Sequence, residues 1–507
     1  MTARRTWWLI FVILNIVAWL PVWLVDVPAI LDYPSHLARV HVLAHHGEVP
    51  ALQHFYNLAW DWMPNLALDV VVLGLHQVLP LVVAMKVFIC LMTTLLLGGT
   101  AYIHWTVTRE RPVLTLAVAL LLANRMYLWG LFNFLSSMGV GLFGIGAWIH
   151  LRDRGVALRI AVHGSLAPLL FMGHLAGMGV YALGIGGYEL SRMVEDLRAR
   201  RLPAFGQWAL MFGQFVLPAV VLFTLSPTSE GASEVPFVEA ATLGHKLRSV
   251  YGLFHNDHLY LDMGTFAVVG LLVAVGFARG RLALVPRLVG PAAVLTVAFV
   301  AMPAVLFSAY AADQRLAIPM AMLWVAALRW RRPPDRLAWG ALVALFALFV
   351  VRQGALLASW RAANVEYAAY KTVLDAVPEG QRLNTAIVYT GEWEVMPVPM
   401  AHMSCFAVID HAAFVPTLFA IRHQHPVNFR DPEQAIYLDP RSTTIRHNGE
   451  QTDWDFVRAN YDYHLGWHED RYTEPPTHGF ERIAEQGHAR LYRTGRVAAV
   501  GQVATER

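Results

Sequence analysis

Long runs of apolar residues separated by short polar stretches dominate the first 360 or so positions of the chain. A helix needs roughly 20 such residues to cross a hydrocarbon core about 30 Å thick. In that core backbone polar groups must be satisfied within the segment itself. The runs predict eleven membrane-spanning helices: 6–25, 65–79, 82–106, 113–128, 132–151, 160–190, 205–225, 263–278, 288–308, 315–328 and 337–357. The first follows Arg4 and Arg5 and resembles a secretory leader, but it ends in Pro21 and Trp23 rather than small residues and reads as a retained span.

After about residue 359 the pattern changes. Residues 364–374 read as helix, and 383–389 and 489–492 as strands. The turn signals Pro378-Glu379-Gly380 and His447-Asn448-Gly449 separate segments. The expected architecture is therefore a polytopic α-helical module over 1–358, with external loops 26–64 and 226–262, and a mixed α/β domain over 359–507.

Composition fixes the class. The chain is 56% hydrophobic and 15% charged over 507 residues, with mean hydropathy +0.45, which excludes an ordinary soluble globular protein. Its net charge of +3 implies no nucleic-acid partner, because Lys and Arg in such a chain mostly set topology. The clusters 192–201, 279–287 and 329–336 fall on the cytoplasmic side of the count, as do Arg4 and Arg5. The same count puts Arg109, Arg111, Arg152, Arg154 and Arg159 outside, against the positive-inside tendency. Cys90 and Cys405 lie in different regions and read as packing residues.

Within the external loops, residues 35–44 place Leu37, Val40 and Ala44 at helical spacing beside His36, Arg39 and His41. Residues 243–251 repeat the theme, and both read as helices lying on the membrane interface. An acid and a histidine at a membrane rim, in Asp32-Tyr33-Pro34-Ser35-His36, suggest an enzyme acting on a lipid-linked substrate. Asp32 could instead cap the helix that Pro34 opens. His36 lies one turn on and could face the same pocket. Asp61, between Trp60 and Trp62, is a second candidate acid or an interface anchor. His255, Asp257 and His258 cluster in the second loop as candidate substrate contacts.

Inside the spans, Arg315 is costly unless paired or functional. Its guanidinium could fork onto a lipid phosphate or pair with Asp313. His163 and His174 read as neutral histidines bonded to neighbouring helices. Gly139, Gly141, Gly144, Gly146, Gly173, Gly177 and Gly179 read as close helix packing. Neither His402 with Cys405 nor His423 with His425 has a partner pair at a recognised metal-binding spacing, so no metal or other cofactor is assigned.

The layout resembles the GT-C superfamily of integral-membrane glycosyltransferases, which includes protein O-mannosyltransferases and lipid A aminoarabinose transferases. The matching features are the first-loop acid in Leu31-Asp32-Tyr33-Pro34-Ser35-His36, the Met63-Pro64-Asn65-Leu66 stretch before the second span, the long loop 226–262 and the C-terminal domain. Many members carry a pair of acids near the first-loop position. Here the next residue is Tyr33, so the resemblance does not carry a metal-dependent mechanism to this chain. It implies an inverting transferase; composition and layout suggest a bacterial inner membrane, and the span count with its basic clusters puts the N-terminus in the cytoplasm and the C-terminal domain in the periplasm. The donor would be a polyprenyl-phosphate sugar, the acceptor an envelope lipid or glycan, and Asp32 the general base. Two alternatives stand beside it: a non-catalytic membrane subunit of polysaccharide assembly, and a lipid-linked substrate transporter. A transporter would be expected to show repeats and charge inside its spans, and the chain has no such repeat.

Overall fold

The structure, a computed structural model, describes residues 3–228, 238–306, 311–389, 400–442, 445–447, 451–468 and 474–495. Part of the predicted loop 226–262, the end of the 288–308 span and the Asn448-Gly449 turn lie outside these residues. Among those described, seven helices are long and apolar enough to cross a membrane, from Arg4–Trp23 to Arg336–Leu374. The chain is a membrane protein in two compact units. One comprises residues 1–30, 60–360 and 422–426, and the other 31–59, 361–421 and 427–507.

In the helical unit, contacts fix the direction of each helix. Lys86, at the start of Leu81–Thr108, donates to the Val25 carbonyl at 2.7 Å, and Thr94 donates to Asn15 at 2.8 Å. Near the other end, the Arg111 guanidinium lies 5.4 Å from the Trp8 ring. This helix therefore runs antiparallel to Ala3–Trp23. Phe132–Leu151 runs parallel to Leu81–Thr108, with Gly146 against Tyr102 and His150 against Trp105. Arg109 and Arg111 accordingly share an end of the unit with Arg4 and Arg5, and His150 and Arg152 join them. That corrects the opposite placement the span count implied, and it removes the conflict with the positive-inside tendency.

Two departures from the predicted spans account for the change. The run 65–79 yields only the helix Ala67–His76; its 10 residues reach about 15 Å, too short to cross. The run 160–190 is two antiparallel helices, Val156–Gly173 and Leu175–Arg198, broken at His174. There the backbone is extended (φ −172°, ψ 128°), and the imidazole Nδ1 accepts from the Ala176 N–H at 3.0 Å. The residue that ends one helix thus caps the next. The predicted span 113–128 is a 3₁₀ helix, Val113–Leu121, followed by the short helix Arg125–Trp129.

Most of the predicted packing glycines do meet a neighbour. A Cβ at Gly139 would stand 2.7 Å from Leu95, and one at Gly177 would run into the Ser137 hydroxyl, whereas Gly179 faces open space.

The second unit is built on a five-stranded mixed sheet, ordered Phe480–Gln486, Ala489–Thr494, Tyr463–Trp467, Leu383–Tyr389, Ile445–His447. Leu383 pairs with Tyr463 in parallel, and Ala489 with Trp467 antiparallel. Strand Leu383–Tyr389 has the predicted bounds, and Ala489–Thr494 extends the predicted one. The turn at Gly380 adopts φ +71°, which glycine permits without strain.

The first-loop helix, Tyr33–His45, belongs to this unit. Tyr33 through Val40 are all buried, against Met403–Cys405, Phe406–His411 and the strand Val427–Phe429. It is a core helix, not one lying on an interface: such a helix buries one face only, and this one has neighbours on all sides.

Candidate active site

Asp32 holds the N-cap position of Tyr33–His45, with Pro34 in the first turn, yet its side chain makes no capping hydrogen bond. Its Oδ1 lies 3.4 Å from Nε2 of His402, both side chains being largely but not wholly buried. His402 is fixed from its other edge, where Nδ1 lies 2.8 Å from the Thr417 carbonyl oxygen. Only a protonated Nδ1 can bond a carbonyl, so the neutral ring carries its lone pair on Nε2, toward Asp32. Burial pushes the imidazole down to about 4, which keeps it neutral at physiological pH.

Around this pair the polar side chains are tied to one another. Ser35 Oγ accepts from the Phe419 N–H at 2.9 Å, and the Ser404 and Thr417 hydroxyls meet at 2.7 Å. Burial pushes the Cys405 thiol up to about 12, so it is no nucleophile. The Phe419 ring lies edge-on to both His402, at 4.7 Å between centroids, and His36, at 5.5 Å. The structure thus sets His36 and His402 against one aromatic ring, with Asp32 against His402. His402, which the sequence offers only as a weak metal ligand, is the residue that sequence reasoning misses here. No local pattern links it to Asp32, since the two meet only through the tertiary fold.

The remaining candidates lie in the helical unit. Arg315 Nη1 is 3.1 Å from Nε2 of His174. Because the Ala176 N–H already donates to His174 Nδ1, the neutral ring carries its proton on Nε2, and two donors then face each other. Asp313 is engaged by Ser249 at 3.2 Å and Lys246 at 3.5 Å. His255 contacts Asp257 at 3.1 Å, and His258 contacts the Ser359 hydroxyl at 2.9 Å. Their loop is pinned by Asp262, which accepts from the Asn256 N–H and from Arg352. Asp61 is exposed. His163 lies 3.0 Å from the Tyr181 hydroxyl. Among the described residues, no three His, Cys, Asp or Glu side chains are grouped to hold a metal ion.

No family model and no curated protein matches the chain. Its structure is similar to that of ArnT from Cupriavidus metallidurans bound to undecaprenyl phosphate, with TM-score 0.55 and 12% identity over 98% of this chain and 99% of that one. The apo form of the same protein matches with TM-score 0.53 and 13% identity over 97% and 98%. At this identity the likeness is one of fold, and the chain shares the ArnT fold over nearly its whole length.

Proposed function

We propose that the chain is an inverting glycosyltransferase that moves a sugar from a polyprenyl-phosphate donor to an envelope lipid or glycan at the external membrane face. The observation that carries this reading is Asp32: a carboxylate at the head of a helix, not used as its cap and set against the bare nitrogen of a neutral histidine. In the proposed step the acceptor oxygen attacks the anomeric carbon as Asp32 takes the hydroxyl proton. The bond from that carbon to the phosphate oxygen breaks, and its electron pair leaves with the lipid phosphate. A positioned base typically contributes 10²- to 10⁴-fold.

A lipid-linked donor is supported by the ArnT structure that holds undecaprenyl phosphate. It is also supported by a cavity of about 860 Å³ in the helical unit, lined by apolar residues including Leu114, Leu253, Leu272, Met320 and Leu345, which suits an isoprenoid chain. We assign Arg315 with His174 to the donor phosphate: two donors that face each other are both satisfied by an anion placed at that point. Asp61, His255, Asp257 and His258 are assigned to the sugar or acceptor. The end of the unit bearing Arg4, Arg111 and Arg152 is assigned to the cytoplasm of a bacterial inner membrane. With that assignment we retain eleven crossings for the chain. The run 160–190 supplies two crossings and 65–79 none.

The test is transfer from radiolabelled undecaprenyl-phosphate sugars to membrane acceptors, by wild-type protein and a folded Asp32→Asn form. Transfer by the wild type that collapses in the variant supports the reading. Equal transfer removes Asp32 from the chemistry, and no transfer from any donor of this class refutes the activity.

A further inference from the structure

The Asp32–His402 contact poses a chemical problem that a simple base would not. Nδ1 of His402 must carry a proton to bond the Thr417 carbonyl at 2.8 Å, and a neutral ring then presents a lone pair to Asp32 Oδ1, 3.4 Å away. An ionised carboxylate also presents lone pairs, so in the resting pair the two atoms repel. Protonating Asp32 replaces that repulsion with an O–H···N hydrogen bond.

We propose that His402 is the proton-sharing partner of Asp32, a positioning residue whose Nε2 accepts a hydrogen bond from the Asp32 carboxyl once it has taken the acceptor's proton. The inference rests on the reading of Asp32 as general base and says what makes that base effective. A hydrogen bond available only to the protonated form raises the affinity of a carboxylate for a proton. It also strengthens as the proton arrives, which is when the transition state needs it. The step is balanced: one proton passes from the acceptor hydroxyl to Asp32 Oδ1, is held between Oδ1 and Nε2, and leaves to solvent after the lipid phosphate departs.

The surroundings fit. Cys405, which faces Asp32, is kept neutral by burial, as is Tyr56 beside it. On the adjoining helix Asp410 is already paired with Lys371 at 3.3 Å, and His411 ends that helix. His36 lies across Phe419, and Arg39 is buried farther along the Asp32 helix.

The rival is an ion pair, with His402 doubly protonated beside ionised Asp32. The two differ in sign. A hydrogen-bond acceptor raises the Asp32 titration, whereas a cation lowers it. The decisive experiment is the kcat–pH profile for radiolabelled undecaprenyl-phosphate sugar, comparing wild type with His402→Gln and His402→Phe, and with His36→Asn to identify any limb due to His36. We expect His402→Phe to lose roughly tenfold to a hundredfold in kcat, the size of one charge-assisted hydrogen bond. KM should change little, the acid limb should move to lower pH, and Gln, whose amide oxygen can accept, should recover part of the loss. An acid limb that moves to higher pH establishes the ion pair and overturns the proposal, as does an equal loss at every pH with no recovery by Gln.

A second measurement needs neither a His402 variant nor turnover. The infrared carboxylic-acid C=O band of the wild type, assigned by its absence in Asp32→Asn, should titrate above the ordinary aspartate value of about 3.9. A band titrating at or below that value overturns the proposal even if transfer depends on Asp32. A raised band in a protein that transfers nothing supports it while the glycosyltransferase reading falls.

Discussion

Two acid centres, one in each unit, differ in a way that separates architecture from chemistry. In the helical unit, Asp262 is fully buried and each of its carboxylate oxygens accepts from a donor: Arg352 donates to Oδ1 at 2.9 Å and the Asn256 N–H to Oδ2 at 2.8 Å, while Arg352 also donates to the Phe254 carbonyl at 2.6 Å. In the other unit, Asp32 remains partly accessible, and its Oδ1 faces the acceptor nitrogen of His402. A buried pair in which each acid oxygen meets a donor has one stable arrangement, and it pins the 254–262 segment to the helix Arg336–Leu374. A mismatched pair has two, and the arrival of a proton decides between them. The helical unit uses its buried charge to hold a loop, and in the proposed reading the second unit keeps its carboxylate for the acceptor's proton.

The comparison breaks most readily at Asp32. Replacing it with Asn should reduce transfer by roughly 10²- to 10⁴-fold, while the melting temperature in detergent changes little, because the side chain makes no capping bond. A large loss of stability with retained transfer would reverse the roles of the two acids. At the other centre the opposite is expected. Arg352→Met alone leaves Asp262 buried and uncompensated, at about 3–5 kcal/mol in stability. The double change Asp262→Leu with Arg352→Met should recover much of that, since well-packed apolar residues replace a buried pair with little loss. Thermal unfolding of the single and double variants reads this directly.

A third arrangement, Arg315 with His174, sharpens the contrast by reversing its sign: there the surplus is of donors. Arg315→Lys keeps the charge but not the fork, so it should weaken undecaprenyl phosphate binding roughly tenfold and Arg315→Gln more. Stability should stay near wild type in both. Titration of the lipid into protein in nanodiscs measures it, and unchanged affinity in both variants would take Arg315 out of phosphate recognition.

How much of this was legible in the sequence follows from what each feature depends on. The apolar helices and the strand Leu383–Tyr389 could be read because period and length are local properties. The break at His174 could not, because the run on either side, from Phe171 to Val180, stays apolar, and the interruption is a capping bond rather than a change in polarity. Missing it turned two crossings into one, and it was the counting of 65–79 as a crossing that displaced Arg109 and Arg152 to the wrong end. Asp32 stood out as an acid at the rim of an apolar module, and Arg315 as a charge within one. His402 had no such signal, since its meaning lies in the Thr417 carbonyl that fixes its tautomer and in a carboxylate far away in the chain.

The smallest expected effect tests whether the mismatch at Asp32 is felt in the resting protein. Burial holds His402 near 4 in the folded state, against an ordinary value of 6.5. Between those values the unfolded chain binds a proton at this position and the folded chain does not. Stability therefore rises with pH across the window and is lost as pH falls from about 6.5 to about 4, by at most about 3 kcal/mol from this residue. Below about 4 both states are protonated and the loss is complete. Melting curves of wild type and His402→Phe across this range isolate the contribution: the wild type should lose stability on acidification more steeply than the variant. Parallel pH dependence would mean that His402 is already protonated in the folded state. In that case the second acid centre is an ordinary ion pair like the first, and the distinction between the two units disappears.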